Sequence, residues 1–232
     1  MFRIAILLCA ALAFQGCGTL LGSKDSDDDQ QLQGAAILAL LTQNQCSFNG
    51  VSFTAGSGVT CAGGAASGTG TLIPSTTSSG DLSLQITFSV ASGGSVEIQN
   101  NVASVNSGLT AGFSLLAGTG TRRARDGAGN TKTFAAAFTI SPDVSQQYCV
   151  DFHTEGSEQH VVMVKGACPS TVTNMDNTVS CSASIFNSEA TTCTGSAGTL
   201  SNNNKPGSAW GFILTNVVIT EIRRNSSNRY SG

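Results

Sequence analysis

The chain has 232 residues, of which 11% are charged, with 11 Lys or Arg against 14 Asp or Glu and a formal net charge of −3. So slight an imbalance leaves no electrostatic footprint for nucleic acid. Beyond the first 33 residues there is enough chain for one sizeable core.

The first elements in chain order are Met1-Phe2-Arg3, with one positive charge, an apolar run over residues 4–14, and Gln15-Gly16-Cys17. A short basic start, a short apolar stretch and a small residue before the cut make a secretory signal. A helix of eleven residues reaches only about 16 Å, roughly half of a hydrocarbon core. No other stretch is long enough to span a membrane. The segment resembles a bacterial lipobox, of the permissive kind seen in spirochaete lipoproteins. Gly16 and Cys17 match it, Phe14 stands where Leu is usual, and Gln15 stands where a small residue is usual. The resemblance implies a signal peptide over residues 1–16 and a thioether lipid plus acyl chains, palmitate among them, on Cys17. Each buried CH₂ adds about 0.8 kcal/mol, so two or more chains anchor firmly. Gly18 follows the cysteine, and the absence of Asp there implies sorting to the outer membrane.

Residues 17–33 then read as a lipidated acidic tether. The run Lys24-Asp25-Ser26-Asp27-Asp28-Asp29-Gln30-Gln31 has nothing to bury, and its like charges keep it extended. Consecutive Asp without Gly or a distal Glu does not make a calcium loop. Residues 34–232 form a single domain, opening on a short apolar run over 34–41 whose Ala and Leu favour a short helix.

From there the pattern turns to period two. Leu82, Leu84, Ile86, Phe88 and Val90 alternate with Ser83, Gln85, Thr87 and Ser89, a half-buried strand. Residues 95–99, 110–116 and 133–140 read similarly, with Gly93-Gly94 as a tight turn between the first two strands. Arg122-Arg123-Ala124-Arg125 and Arg223-Arg224 read as solvated loops or strand ends. Residues 148–153 and 159–165 make a hairpin closed by Glu155-Gly156-Ser157-Glu158. It would set Val150, Phe152, Val161 and Met163 on one face and Asp151, His153, His160 and Val162 on the other. Strands follow over 179–186 and 209–222, the last kinking near Asn216. Many short strands with Gly-rich turns imply an all-β, antiparallel sandwich, jelly-roll-like in type.

Of the eight cysteines, Cys9 leaves with the signal and Cys17 takes lipid. Six remain, an even number in an exported chain, which implies disulfides. The neighbours Cys46–Cys61, Cys149–Cys168 and Cys181–Cys193 are the expected pairs among fifteen connectivities. A thiolate metal site is the rival reading, and the lack of any Cys-x-x-Cys pair stands against it.

Residues 151–160 hold both histidines of the chain. Asp151, His153 and His160 could bind zinc and leave a position open, which would make a metal-dependent hydrolase. The competing reading is a solvated hairpin tip. No nucleophile elbow and no His-Glu-x-x-His occur, so a non-enzyme without cofactor is expected. Trp210 and Tyr148 are the candidate sugar platforms, with Trp210 also placed to be core. The function expected is a lipid-anchored surface module that binds a glycan or a host or matrix protein through its loops. The alternative is a passive structural envelope protein.

Overall fold

Alternating apolar and polar residues leave the chain few ways to bury one side except as strands, and every regular element among the described residues is a strand. The computed structural model describes residues 45–78, 80–106, 108–109, 111–120, 122–127, 129, 131–133, 140–155, 158–168, 200–201 and 206–225. They lie in one compact unit, Asn44–Gly232. The signal, Cys17, the tether, the helix expected over 34–41, the strand expected over 179–186, and Cys181 with Cys193 fall outside them.

The strands are β1 (Gln45–Phe48), β2 (Val51–Ala55), β3 (Val59–Ala62), β4 (Ala65–Pro74), β5 (Leu82–Val102), β6 (Phe113–Gly118), β7 (Arg122–Asp126), β8 (Thr131–Thr133), β9 (Gln146–Glu155), β10 (Glu158–Lys165), β11 (Leu200–Ser201) and β12 (Ala209–Arg224). All their ladders are antiparallel. The all-β antiparallel class expected from the sequence is therefore the class observed.

Three long strands, β4, β12 and β5, form the spine. Each bends at the same level. β12 bulges at Asn216, where its register against both neighbours shifts. Asn216 has φ of 51°, a left-handed conformation that Asn tolerates. Thr69 of β4 and Asn216 are bonded to each other across the bend, the Asn216 N–H donating to Thr69 Oγ1 at 3.0 Å. On the other side Gly94 of β5 lies so close that a Cβ there would stand 2.8 Å from the Asn216 and Thr215 carbonyl oxygens. Gly93-Gly94 is thus not a turn between two strands. It is the point at which one 21-residue strand bends, and a side chain at Gly94 would block the approach of β12.

Each half of the spine carries its own flanking strands. β5 pairs with β9 over Leu82–Phe88 and with β6 over Ser95–Asn100. β4 likewise takes β3 beside one half and β2 beside the other. The two halves close on each other as the layers of a sandwich. Leu82, Leu84, Ile86, Val150 and Phe152 from one half and Val96, Ile98, Phe53, Trp210 and Phe212 from the other share a single buried core. The disulfide between Cys46 on β1 and Cys61 on β3 ties the halves together. So does the Asn49 side-chain amide of the β1–β2 turn, which donates to the Ile222 carbonyl at 2.9 Å.

The basic segment at residues 122–125 is likewise not a loop. It forms most of β7, where Ala124 is buried and Arg125 pairs with Glu97 of β5 at 2.9 Å.

Candidate functional site

The alternation that sends Leu82, Leu84 and Ile86 of β5 into the core sends Ser83, Gln85 and Thr87 to the outer face of the same half-sheet. Register then decides what meets them. Ser83 lies opposite Asp151, Gln85 opposite Cys149, and Thr87 opposite Gln147 on β9 and Glu221 on β12. One outer face therefore carries two polar arrays.

The first array is buried. His153 and His160 stand opposite each other across the β9–β10 hairpin, as the sequence implies, with ring centroids 5.0 Å apart. His153 Nδ1 lies 2.6 Å from Asp151 Oδ2, and the Ser83 hydroxyl donates to Asp151 Oδ1. Ser83, Asp151 and His153 are fully enclosed and His160 is 4% exposed, so the hairpin is not a solvated tip. Gln159 locks it further, donating to the carbonyls of His153 at 2.7 Å and His160 at 3.2 Å. The carboxylate sits between the hydroxyl and the imidazole. In a nucleophilic hydrolase the imidazole must sit in the middle to take the hydroxyl proton. This order holds a fold together and does not activate Ser83. Among the described residues no group of three or more His, Cys, Asp or Glu is arranged to hold a metal ion, the trio Asp151, His153 and His160 included.

The second array is half-buried, with Thr87, Gln147 and Glu221 partly exposed and Gln85 8% exposed. Glu221, partly exposed, accepts hydrogen bonds from three side chains: Gln85 Nε2 at 3.0 Å, Thr87 Oγ1 at 2.7 Å and Gln147 Nε2 at 3.0 Å. Burial alone would raise the Glu221 pKa. The donors Thr87, Gln147 and Gln85, together with the charge of Arg223, outweigh it and hold the carboxyl below its ordinary value. The group is therefore kept ionised and oriented on an accessible sheet face. Sequence reasoning did not find it. Glu221 is a single acid at the end of an apolar strand, and only the register of β12 brings it to Gln85, Thr87 and Gln147.

Trp210 and Tyr148, the expected sugar platforms, are both buried. Trp210 packs edge-on against Phe53 and Phe212, and the Arg224 guanidinium lies 5.5 Å above its ring. Tyr148 stacks on Phe88, and its hydroxyl donates to Gln146 Oε1. Their alternation places them inward, so neither offers a face to a ligand.

In the other half a cleft of about 190 Å³ is lined by Gln99, Val102, Asn106, Leu109, Ala111 and Pro206, among others. Both ends of the Gln99 amide are spent, on Glu97 and on the Asn106 backbone. The cystines Cys46–Cys61 and Cys149–Cys168 are both formed, as expected from the spacing. They mark a protein that folds in an oxidising, exported setting. Among the described residues no helix is long and apolar enough to cross a membrane.

No protein-family model matches the chain, and no curated protein matches it in sequence. Among solved structures it is similar to a carbohydrate-binding module from Bacillus subtilis, with a TM-score of 0.46 and 9% identity, over 78% of this chain and 98% of that one.

Proposed function

We propose that this chain is a non-catalytic glycan-binding domain, exported and tethered to the outer membrane by lipid on Cys17. The observation that carries the binding reading is the Glu221 array. A sugar hydroxyl both donates and accepts, so its complement is a surface that does the same. Glu221 supplies ionised acceptor oxygens. Gln147, partly exposed, retains a second amide N–H beyond the one given to Glu221, Thr87 retains hydroxyl lone pairs, and buried Gln85 holds Glu221 in place. Held in place by one another, the four lose little side-chain freedom on binding. Among the described residues no aromatic ring is exposed, so recognition rests on hydrogen bonds rather than on stacking. The signal segment and Cys17 support the tether, and the acidic run over residues 24–31 supports an extended spacer between lipid and domain.

The test is a glycan array probed with the oxidised mature chain, with the Glu221→Gln variant beside it. Binding to a defined glycan that weakens roughly tenfold or more in the variant is expected, the worth of a hydrogen bond to a charged acceptor. A matrix protein as the only hit would replace the glycan. No binding by a folded sample would leave the passive envelope role. For the tether, Cys17→Ala should abolish lipid labelling and move the protein out of the detergent phase; retention in detergent would place the anchor elsewhere.

A further inference from the structure

The Glu221 array is completed by a residue from outside the sheet. After β10 the chain turns at Gly166, whose N–H donates to the Gln147 carbonyl at 2.8 Å, and crosses back over the outer face. Cys168 is then joined to Cys149. Because Cys149 is the register partner of Gln85, the disulfide brings residue 168 alongside the Gln85 side chain. The Cys168 backbone N–H donates to Gln85 Oε1 at 3.0 Å, while the other end of the same amide, Nε2, donates to Glu221 Oε1 at 3.0 Å.

A carboxamide is nearly symmetrical in shape, and what fixes its direction is the partner at each end. A backbone N–H can be met only by the oxygen end. The nitrogen end is thereby turned toward the carboxylate. Reversed, the amide would set its oxygen against Glu221 and its nitrogen against the Cys168 N–H, a clash of acceptors on one side and of donors on the other.

We propose that the Cys149–Cys168 disulfide is a positioning element of the ligand site, fixing the direction of the Gln85 amide through the Cys168 N–H so that Glu221 meets a donor. The proposal rests on the reading of the Glu221 array as the binding surface. Gln85 is a positioning residue, and Cys168 positions it in turn. The Cys46–Cys61 disulfide touches no member of the array and serves as the control.

The experiment is NMR of the full mature chain, following the Glu221 carboxyl titration and the Gln85 side-chain amide signals. The native protein is compared with Cys149→Ala/Cys168→Ala and with Cys46→Ala/Cys61→Ala. Loss of the 149–168 bridge is expected to move the Glu221 titration to higher pH, shift the Gln85 amide pair and weaken glycan binding roughly tenfold. Loss of the 46–61 bridge should move neither signal. An unchanged Glu221 titration in a folded 149–168 variant would overturn the proposal. Should that variant fail to fold, Gln85→Met keeps the disulfide and removes the relay. It must raise the Glu221 titration, and the proposal fails if it does not. A titration that moves as expected in a protein that binds no glycan would sink the binding reading and leave the positioning intact.

Discussion

Asp151 and Glu221 lie on one sheet face and are used in opposite ways. Asp151 is enclosed with His153 and Ser83, and a buried carboxylate is tolerated only when its oxygens are matched by donors. Asp151→Ala takes that partner from a buried imidazole and a buried hydroxyl. The expected cost is about 3–5 kcal/mol, read from urea denaturation, with glycan binding by the folded fraction unchanged. Glu221 is held ionised, with a depressed pKa in the folded chain. A depressed carboxyl contributes stability that is present above its unfolded pKa and lost as pH falls through the folded one. Both stability and affinity should therefore decline on the acid side of the ordinary Glu range, and Glu221→Gln should flatten that limb of the pH profile. At this scale the sequence was partly legible. The facing of His153 and His160 followed from strict alternation on the two strands either side of the expected turn. Tyr148, expected as a sugar platform, instead lies inward on the same face as Val150 and Phe152, which that alternation required. Glu221 was not legible, since pairing between residues 134 apart is a property of register, and no local pattern encodes it.

Among the elements, β5 departs most from what its residues suggest. A Gly-Gly pair between two apolar-alternating runs has the look of a hairpin, and in isolation nothing distinguishes it from one. The partner decides. β12 runs beside β5 through the bend, so the pair does not reverse the chain and Gly94 serves close approach. The kink expected near Asn216 in the last strand is present, and it is the other side of the same bend. Gly94→Ala should destabilise the fold by roughly 1–3 kcal/mol, since the added methyl has only backbone oxygens to displace. Asn216→Val should cost about 1–2 kcal/mol for the left-handed backbone, while Asn216→Gly should be nearly neutral. Thermal melts of the three variants check this. Strands β1 to β4 were missed because Gly, Ser and Thr cut residues 45–74 into short pieces, so that alternations such as Cys46 and Phe48, or Val51, Phe53 and Ala55, run for only four or five residues.

For the molecule as a whole, class and the pairings Cys46–Cys61 and Cys149–Cys168 were legible and topology was not. Alternation reports which side of a strand is buried, never which strand lies beside it. Neighbouring cysteines could be paired by spacing because short loops bridge hairpin ends, and here Cys46 and Cys61, 15 residues apart, join the two halves of the sandwich. Cys46→Ala/Cys61→Ala should therefore lower stability by roughly 3 kcal/mol by the loop-entropy argument, read from urea midpoints at constant m-value.

The bent spine also fixes when the protein can exist. Its central ladder joins β5 to β12 and sets Thr87 beside Glu221, 134 residues apart in the chain. Without β12, β4 keeps only β2 and β3 and β5 keeps only β6 and β9, so the two groups of strands are not joined. Pairings so distant along the chain form slowly. The two cystines among the described residues, 15 and 19 residues apart in the chain, close far shorter loops and can form first, shortening that search.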